Sequence, residues 1–414
     1  MDIAEWLLYI EKLHSKPIDL GLKRLLQIPN IQSLNSFQCP VVTIGGTNGK
    51  GSNVAFLEAI LLAAGYEVGA YTSPHLLRYN ERIRINGQEV SDDALCFGFE
   101  KINGMRGNTS LSFFEFTTLV ALYLFKQAKL NIILLEVGLG GRLDAVNIVD
   151  ADIAIIASIA LDHMQYLGDT REEIGRQKAG IMRSQHPVIC GDSDIPDSIL
   201  QHAKKLNAPL YTKDCGFQYQ KKGNTWSWQS QNNRFDHLPL LQLPMQNAAT
   251  ALMALELLET KLPVNEASLR QGLSQACLPG RFQVIGRIVL DVAHNPAAAE
   301  LLAQQLLANP VPGNKQIAVI GMLTDKDIQQ TLKPLAKLID QWYIGSLNVP
   351  RGAKALVLAK ALAAEGISAC YCFNTVENAY SEALANANKQ DRIIVFGSFH
   401  TVAAVQTVHA QSFA

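Results

Sequence analysis

A lysine set among glycines, an acid closing an apolar run and a histidine after another apolar run are the features of this chain best suited to chemistry on a polyphosphate. In Val41-Val42-Thr43-Ile44-Gly45-Gly46-Thr47-Asn48-Gly49-Lys50-Gly51-Ser52 a strand-like run enters a glycine loop, and Val54, Leu57, Leu61 and Ala64 with a Gly65 stop carry it on as a helix. Glycines let backbone N–H groups wrap phosphate oxygens, the helix start adds partial positive charge, and Lys50 can reach the outer phosphates. The generic phosphate loop has Ser or Thr directly after the lysine and wider-spaced glycines, whereas here Gly51 separates Lys50 from Ser52. A tight connection without a ligand is the competing reading.

The second feature is Ile132-Ile133-Leu134-Leu135-Glu136-Val137-Gly138-Leu139-Gly140-Gly141-Arg142-Leu143-Asp144. An acid at the carboxyl end of an apolar strand stands where open α/β sheets bind ligands, so Glu136 is suited to holding Mg²⁺ against phosphates. A solvated acid is the alternative. As a dinucleotide fingerprint the run fails, because Leu143 occupies the third glycine position. The third feature, Ser158-Ile159-Ala160-Leu161-Asp162-His163-Met164, follows the apolar run Ile153–Ile156. His163 alone reads as structural, but beside Glu136 on a neighbouring strand it becomes a metal candidate. Lys178, in Gly175-Arg176-Gln177-Lys178-Ala179-Gly180, reads by itself as an exposed helical lysine.

These groups need a scaffold, and the chain alternates strand-like and helical stretches: Val41–Ile44, a helix from Ser52, Ile132–Leu135, Ile153–Ser158, Val188–Cys190, Ile317–Ile320 and Ile393–Phe396. Such alternation predicts a parallel sheet covered by helices. Residues 191–244, with Trp226, Trp228 and the polar run Gln229–Arg234, have the texture of an antiparallel appendage, and Asn247–Leu258 should be a helix. A new texture after Pro279-Gly280 sets a boundary, giving domains 1–280 and 281–414. With 414 residues, two or three domains of ~150 residues are allowed.

Thirty-six Lys plus Arg against thirty-seven Asp plus Glu gives a formal charge of −1, which removes the electrostatic case for a nucleic-acid or membrane-surface partner. Seven cysteines without a C-x-x-C pair, an acidic N-terminal stretch and the lack of a long apolar run predict a soluble, reduced, cytoplasmic protein without structural zinc.

Thr47–Ser52, Thr72-Ser73-Pro74-His75-Leu76, Phe113–Thr117, Leu135–Asn147, Ser158–His163, Lys178-Ala179-Gly180 and Leu290-Asp291-Val292-Ala293-His294-Asn295-Pro296 occur in one order. Together they resemble the folylpolyglutamate synthase family, in particular its bacterial bifunctional dihydrofolate synthase/folylpolyglutamate synthase branch, relatives of the Mur peptidoglycan ligases. The resemblance runs from Leu13-His14 and Ile18–Leu22 to Phe396–Thr401, and the Gly51 that departs from the generic loop is a family trait.

The resemblance implies an α/β fold: a P-loop ATPase domain like the Mur ligase central domain, followed by a smaller Rossmann-like C-terminal domain. It implies ATP- and Mg²⁺-dependent ligation of L-glutamate to dihydropteroate and tetrahydrofolate through an acyl phosphate. Thr47, Asn48, Gly49 and Lys50 match the ATP loop; Ser73 and Glu136 match ligands of one magnesium and His163 that of a second, shared with Glu136. Lys178 matches a lysine that is carbamylated in the family. Asn247, Arg281 and Asp291 match nucleotide-holding positions, with ATP expected between the domains, and His294 is a candidate for orienting the acyl phosphate or glutamate. Ser112, Phe113, Phe114, Glu115, Leu143, Asp144 and Ala145 match the dihydropteroate-binding stretches, where the adjacent phenylalanines could sandwich a flat heterocycle or simply pack in the core. A monomer is expected. The alternatives are a monofunctional folylpolyglutamate synthase, a Mur-type ligase acting on a UDP-sugar peptide, and a nucleotide-binding module without ligase chemistry. A UDP-binding domain finds no room before Lys50, and a bare binding module gives no reason for Ser73, His163 and Asp291–His294.

Overall fold

In the computed structural model, which describes residues 1–311 and 313–412, the run after Pro40 forms a strand, β1 (Val41–Gly45), buried along its whole length. It lies in the middle of an eight-stranded sheet with β2 (Val68–Tyr71), β3 (Ile83–Ile85), β4 (Gln88–Glu89), β5 (Ile132–Glu136), β6 (Ile153–Ile156), β7 (Val188–Cys190) and β8 (Leu210–Thr212). The order is β4-β3-β2-β5-β1-β6-β7-β8; β2, β5, β1, β6, β7 and β8 run parallel, and β3 and β4 are added at one edge by antiparallel pairings. Strands so uniformly apolar belong to a sheet covered on both faces. The pairings Tyr71 to Leu135, Ile44 to Glu136 and Gly45 to Ile156 bring the carboxyl ends of β2, β5, β1 and β6 level on one edge.

The helix Lys50–Ala63 follows β1 and is apolar nearly all round, because it is a buried layer with the helices Met245–Leu258 and Glu266–Gln275 packed outside it. Gly272 permits that approach: a Cβ there would stand 2.3 Å from Ile60 Cα. Elsewhere in this unit Ile3–Lys12, Asp92–Arg106 and Phe113–Gln127 build a second core around Trp6, Phe99, Phe116 and Phe125.

The stretch 191–244 is only partly the expected appendage. Its first third continues the main architecture, with a helix Asp197–Lys205 and β8 parallel to β7. The antiparallel part is a three-stranded sheet of β9 (Phe217–Lys222), β10 (Thr225–Ser230) and β11 (Arg234–Leu238). Trp226 and Trp228 are its anchors, and the Trp228 indole N–H donates to Ala249 O at 3.1 Å, seating the sheet on the helix Met245–Leu258.

The chain divides into two units, Met1–Cys277 and Leu278–Ala414. The second holds β12 (Gln283–Ile285), β13 (Ile288–Leu290), β14 (Gln316–Ile320), β15 (Gln341–Gly345), β16 (Cys370–Phe373) and β17 (Arg392–Phe396) in the order β12-β13-β17-β14-β15-β16. The β12–β13 hairpin is antiparallel and the remaining pairs are parallel, joined by helices such as Pro296–Ala308. No helix among the described residues is long and apolar enough to cross a membrane.

Candidate active site

The glycine loop is held from two sides. Gly49, the residue before the helix, has φ +86°, a conformation glycine adopts without a Cβ penalty, and a Cβ there would lie 2.6 Å from Asn247 Oδ1. Asn53 Nδ2 donates to Gly49 O at 2.9 Å and to Asn247 Oδ1 at 3.3 Å, and Thr250 Oγ1 donates to Asn53 Oδ1. On the other side Thr47 N donates to Ser158 O at 2.7 Å and Asn48 N to Ser158 Oγ at 3.1 Å, while Thr47 Oγ1 accepts from Ala160 N at 3.0 Å. Lys50 Nζ folds back over the loop, donating to Gly46 O at 2.9 Å and Thr47 O at 3.1 Å. Ser52, one residue beyond Gly51, is buried in the helix.

Glu136, Ser73 and His163 leave the same sheet edge, following or ending β5, β2 and β6. Ser73 N donates to Glu136 Oε2 at 3.1 Å, and the carboxylate is buried. The loop carrying Ser73 is fastened to the glycine-loop helix through Arg84, which binds Thr72 Oγ1 at 3.1 Å and Glu58 Oε2 at 2.7 Å. His163 occupies the left-handed region at φ +50° and starts a one-turn helix; its Nε2 lies 3.9 Å from Asp162 Oδ2. Among the described residues no three His, Cys, Asp or Glu side chains converge into a metal cluster. A single buried carboxylate at this edge suits Mg²⁺, which retains waters and phosphate oxygens, and does not suit zinc, which wants a closed set of protein ligands.

Lys178 is not the exposed helical lysine its own segment suggests. It is 2% exposed on the helix Arg171–Ala179, and burial first, then the nearby Lys50 charge, holds its amine well below the ordinary lysine range against an opposing Asp162. The glycine-rich turn after β5 lies against this helix: Arg142 N donates to Gln177 O at 2.8 Å, and a Cβ on Gly141 would stand 3.1 Å from Lys178 Cα. Gly141 therefore serves a close helix approach, which explains glycines here without a dinucleotide.

Ser112 and Glu115 form a capping box on the helix Phe113–Gln127: Ser112 N donates to Glu115 Oε2 at 2.8 Å and Glu115 N to Ser112 Oγ at 3.4 Å. The S-x-x-E spacing is the sequence signal for this. Phe113 and Phe114 do not form two walls of one slot, since neighbouring helical positions point in different directions. Phe113 lies against Tyr79 with the Arg82 guanidinium 5.7 Å from its ring centre, whereas Phe114 packs toward Tyr71 and lies directly over Gly138. Leu143 O accepts from Gly21 N at 3.0 Å, joining the Ile18–Leu22 stretch to this region. Asp144 accepts from Leu139 N at 2.9 Å and Val146 N at 3.0 Å at the head of a short helical turn that begins with Ala145. Its burial pushes the carboxyl up to about 7 despite these N–H donors.

In the second unit Asp291, at the end of β13, accepts from Phe282 N and Ala293 N, both at 2.8 Å. Burial raises its carboxyl, and the adjacent Arg281 charge opposes the shift. Arg281 lies over the Phe399 ring at 5.3 Å, and His294 approaches the same ring at 6.3 Å while its Nδ1 faces Val292 O at 2.8 Å. Arg281 and His294 thus meet at Phe399, and both of their charges act on Asp291. Arg24, Arg82, Arg84 and Ser158 support the first-unit site, and no local pattern in the sequence marks the three arginines as partners of it.

A Mur ligase middle-domain model matches residues 44–254, and a Mur ligase glutamate ligase domain model matches 280–399. Dihydrofolate synthase/folylpolyglutamate synthase of Escherichia coli strain K12 is 47% identical over 409 residues, covering 98% of this chain and 95% of that protein. The structure of Escherichia coli FolC in complex with DHPP and ADP superposes with a TM-score of 0.96 at 45% identity, covering 100% of this chain and 99% of the other. The Yersinia pestis bifunctional folylpolyglutamate synthase/dihydrofolate synthase complexed with AMPPNP and Mn ion gives a TM-score of 0.93 at 48% identity, with coverages of 99% and 98%.

Proposed function

The chain belongs to the Mur ligase family and, within it, to the dihydrofolate synthase/folylpolyglutamate synthases, and we infer that it joins L-glutamate to dihydropteroate and to the γ-carboxylate of tetrahydrofolate at the expense of ATP. The observation that carries this reading is the meeting of the Lys50 loop, Ser73 and Glu136 at one edge of the first sheet. A carboxylate is a poor acylating agent, so ligation begins with its attack on the γ-phosphorus of ATP. The bond from phosphorus to the ADP oxygen breaks and an acyl phosphate forms. The amine of glutamate then attacks the acyl carbon, phosphate departs with the bonding pair, and the nitrogen loses a proton.

Phosphoryl transfer of this kind depends on positioning and charge neutralisation. The amides of Thr47, Asn48 and Gly49 with Lys50 hold the outer phosphates, and Asn247 fixes the loop and contacts the nucleotide. Among the residues of the second unit, Arg281 and Asp291 are the nucleotide-binding candidates and His294 the one for orienting the acyl phosphate or glutamate. Mg²⁺ supplies neutralisation of the phosphate charge when bound; Ser73 and Glu136 are its ligands, with His163 and Glu136 for a second ion. Lys178 acts as a carbamate, an anion where an ammonium would repel the metal. Ser112–Glu115 and Leu143–Ala145 line the pterin subsite, and the enzyme works as a monomer in the cytoplasm.

The test is ADP release by the purified protein with ATP, Mg²⁺ and glutamate, comparing dihydropteroate, tetrahydrofolate and no acceptor. Release stimulated by each pterin is expected. Release indifferent to both overturns the reading, and release with tetrahydrofolate alone removes the dihydrofolate synthase half.

A further inference from the structure

The segment between the helices Ile3–Lys12 and Lys23–Leu26 has no regular structure, yet its course is fixed at both ends. Arg24 does most of this. Its Nη1 donates to Asp19 Oδ2 at 2.5 Å and its Nη2 to Asp19 O at 2.6 Å, closing the segment into a loop. The same guanidinium reaches Glu115, with Nη2 to Oε1 at 2.9 Å and Nε to Oε2 at 3.4 Å. Glu115 Oε2 also accepts from Ser112 N, so the guanidinium is joined through one carboxylate to the start of the helix Phe113–Gln127. Within the loop, Gly21 N donates to Leu143 O. His14 adds a second tie, with Nε2 on Asp19 Oδ2 at 3.0 Å and Nδ1 on Ser110 Oγ at 2.8 Å.

We propose that Arg24 is a positioning residue that clamps residues 18–22 onto both stretches assigned to the pterin, 112–115 and 143–145, and so sets the shape of that subsite. The proposal rests on the pterin assignment made above. A lysine cannot replace it, because an ammonium is a point charge and the Asp19 and Glu115 groups are met by different edges of one planar fork. Glu115 is 3% exposed, so loss of the guanidinium strands a buried carboxylate, which must move or admit water. Either response loosens the Ser112 cap and the loop above Leu143.

Two measurements on Arg24→Lys and Arg24→Gln test this. Kinetically, the KM for dihydropteroate should rise about tenfold or more in both variants, with the ATP KM within about twofold of the parent. Hydrogen exchange of the ligand-free proteins should show the Gly21–Leu22 amides exchanging faster in the variants while those of the helix Lys50–Ala63 keep their protection. Exchange at Gly21 equal to the parent overturns the clamp, whatever the enzyme does. Faster exchange with an unchanged dihydropteroate KM overturns its role in the subsite. A proportional loss across the ATP, glutamate and pterin constants together with a large fall in Tm also overturns it, because that is general destabilisation. Parent protein that turns over ATP and glutamate without responding to pterins would instead refute the functional assignment, and the exchange result would still decide the clamp.

Discussion

The backbone N–H of Ser73 points at Oε2 of Glu136 from 3.1 Å, tying the turn after β2 to the last residue of β5. This contact aims the buried carboxylate at the sheet edge beside the Lys50 loop, and it separates the charge of Glu136 from its shape. Glu136→Gln retains an oxygen for the Ser73 N–H and removes the anion. Turnover should fall on the order of 10³-fold with Tm nearly unchanged, and the divalent-metal concentration giving half-maximal rate should rise. Steady-state rates across a Mg²⁺ titration check this; a variant within tenfold of the parent at every metal concentration removes Glu136 from the metal site.

Gly49 and Asn247 give a prediction about the loop itself. In Gly49→Ala the new methyl meets a positive φ and the Asn247 side chain together, a cost on the order of 2 kcal/mol. Asn247→Ala removes the second obstacle only. The double variant Gly49→Ala/Asn247→Ala should therefore be less destabilised than the sum of the two singles in urea unfolding, while its ATP KM stays raised because both loop and side chain are altered. Strictly additive stabilities would show that Asn247 does not constrain the loop.

Lys178 should carry one CO₂. Burial holds its amine well below the ordinary lysine range, which favours the neutral form that attacks CO₂, forming an N–C bond and releasing a proton to leave an anionic carbamate. Removing bicarbonate and CO₂ should lower activity and restoring them should recover it. Lys178→Arg, unable to form the adduct, should lose on the order of 10²-fold and ignore bicarbonate. Crystals of the liganded protein should show density for the adduct, and an unmodified ammonium turned away from Glu136 would refute the assignment.

Local patterns carried much of this site, and long-range packing carried what they missed. The glycine loop, the acid ending β5 and the helix after β1 are legible because each depends on neighbours a few residues away. Lys178 was not, since its helix is polar in its own segment and is buried only when the turn Gly140–Arg142 and the rest of the first unit close over it. The antiparallel sheet is shorter than residues 191–244 suggest for a related reason. Three-residue β8 has no distinctive pattern, and only pairing with β7 makes it part of the main sheet. Ser112 and Glu115 show the opposite case, in which the S-x-x-E spacing by itself marks the helix cap that the structure has there.

Asp144 supplies a pH dependence with a definite sign. Its carboxyl is pushed from an ordinary value of 3.8 up to about 7, so across that interval the folded protein keeps a proton that the unfolded chain has released. The stability this group contributes is complete below 3.8 and is lost as pH rises through about 7. The slope approaches about 1.4 kcal/mol per pH unit for a single fully coupled group. Asp144→Asn has no proton to hold or lose, although it also gives up one of the two acceptors used by Leu139 and Val146. Urea unfolding at a series of pH values should therefore find the parent's advantage over Asp144→Asn shrinking steadily from pH 4 to 7 and level above about 8. An advantage that grows with pH would mean the two N–H donors outweigh burial and hold the carboxyl ionised.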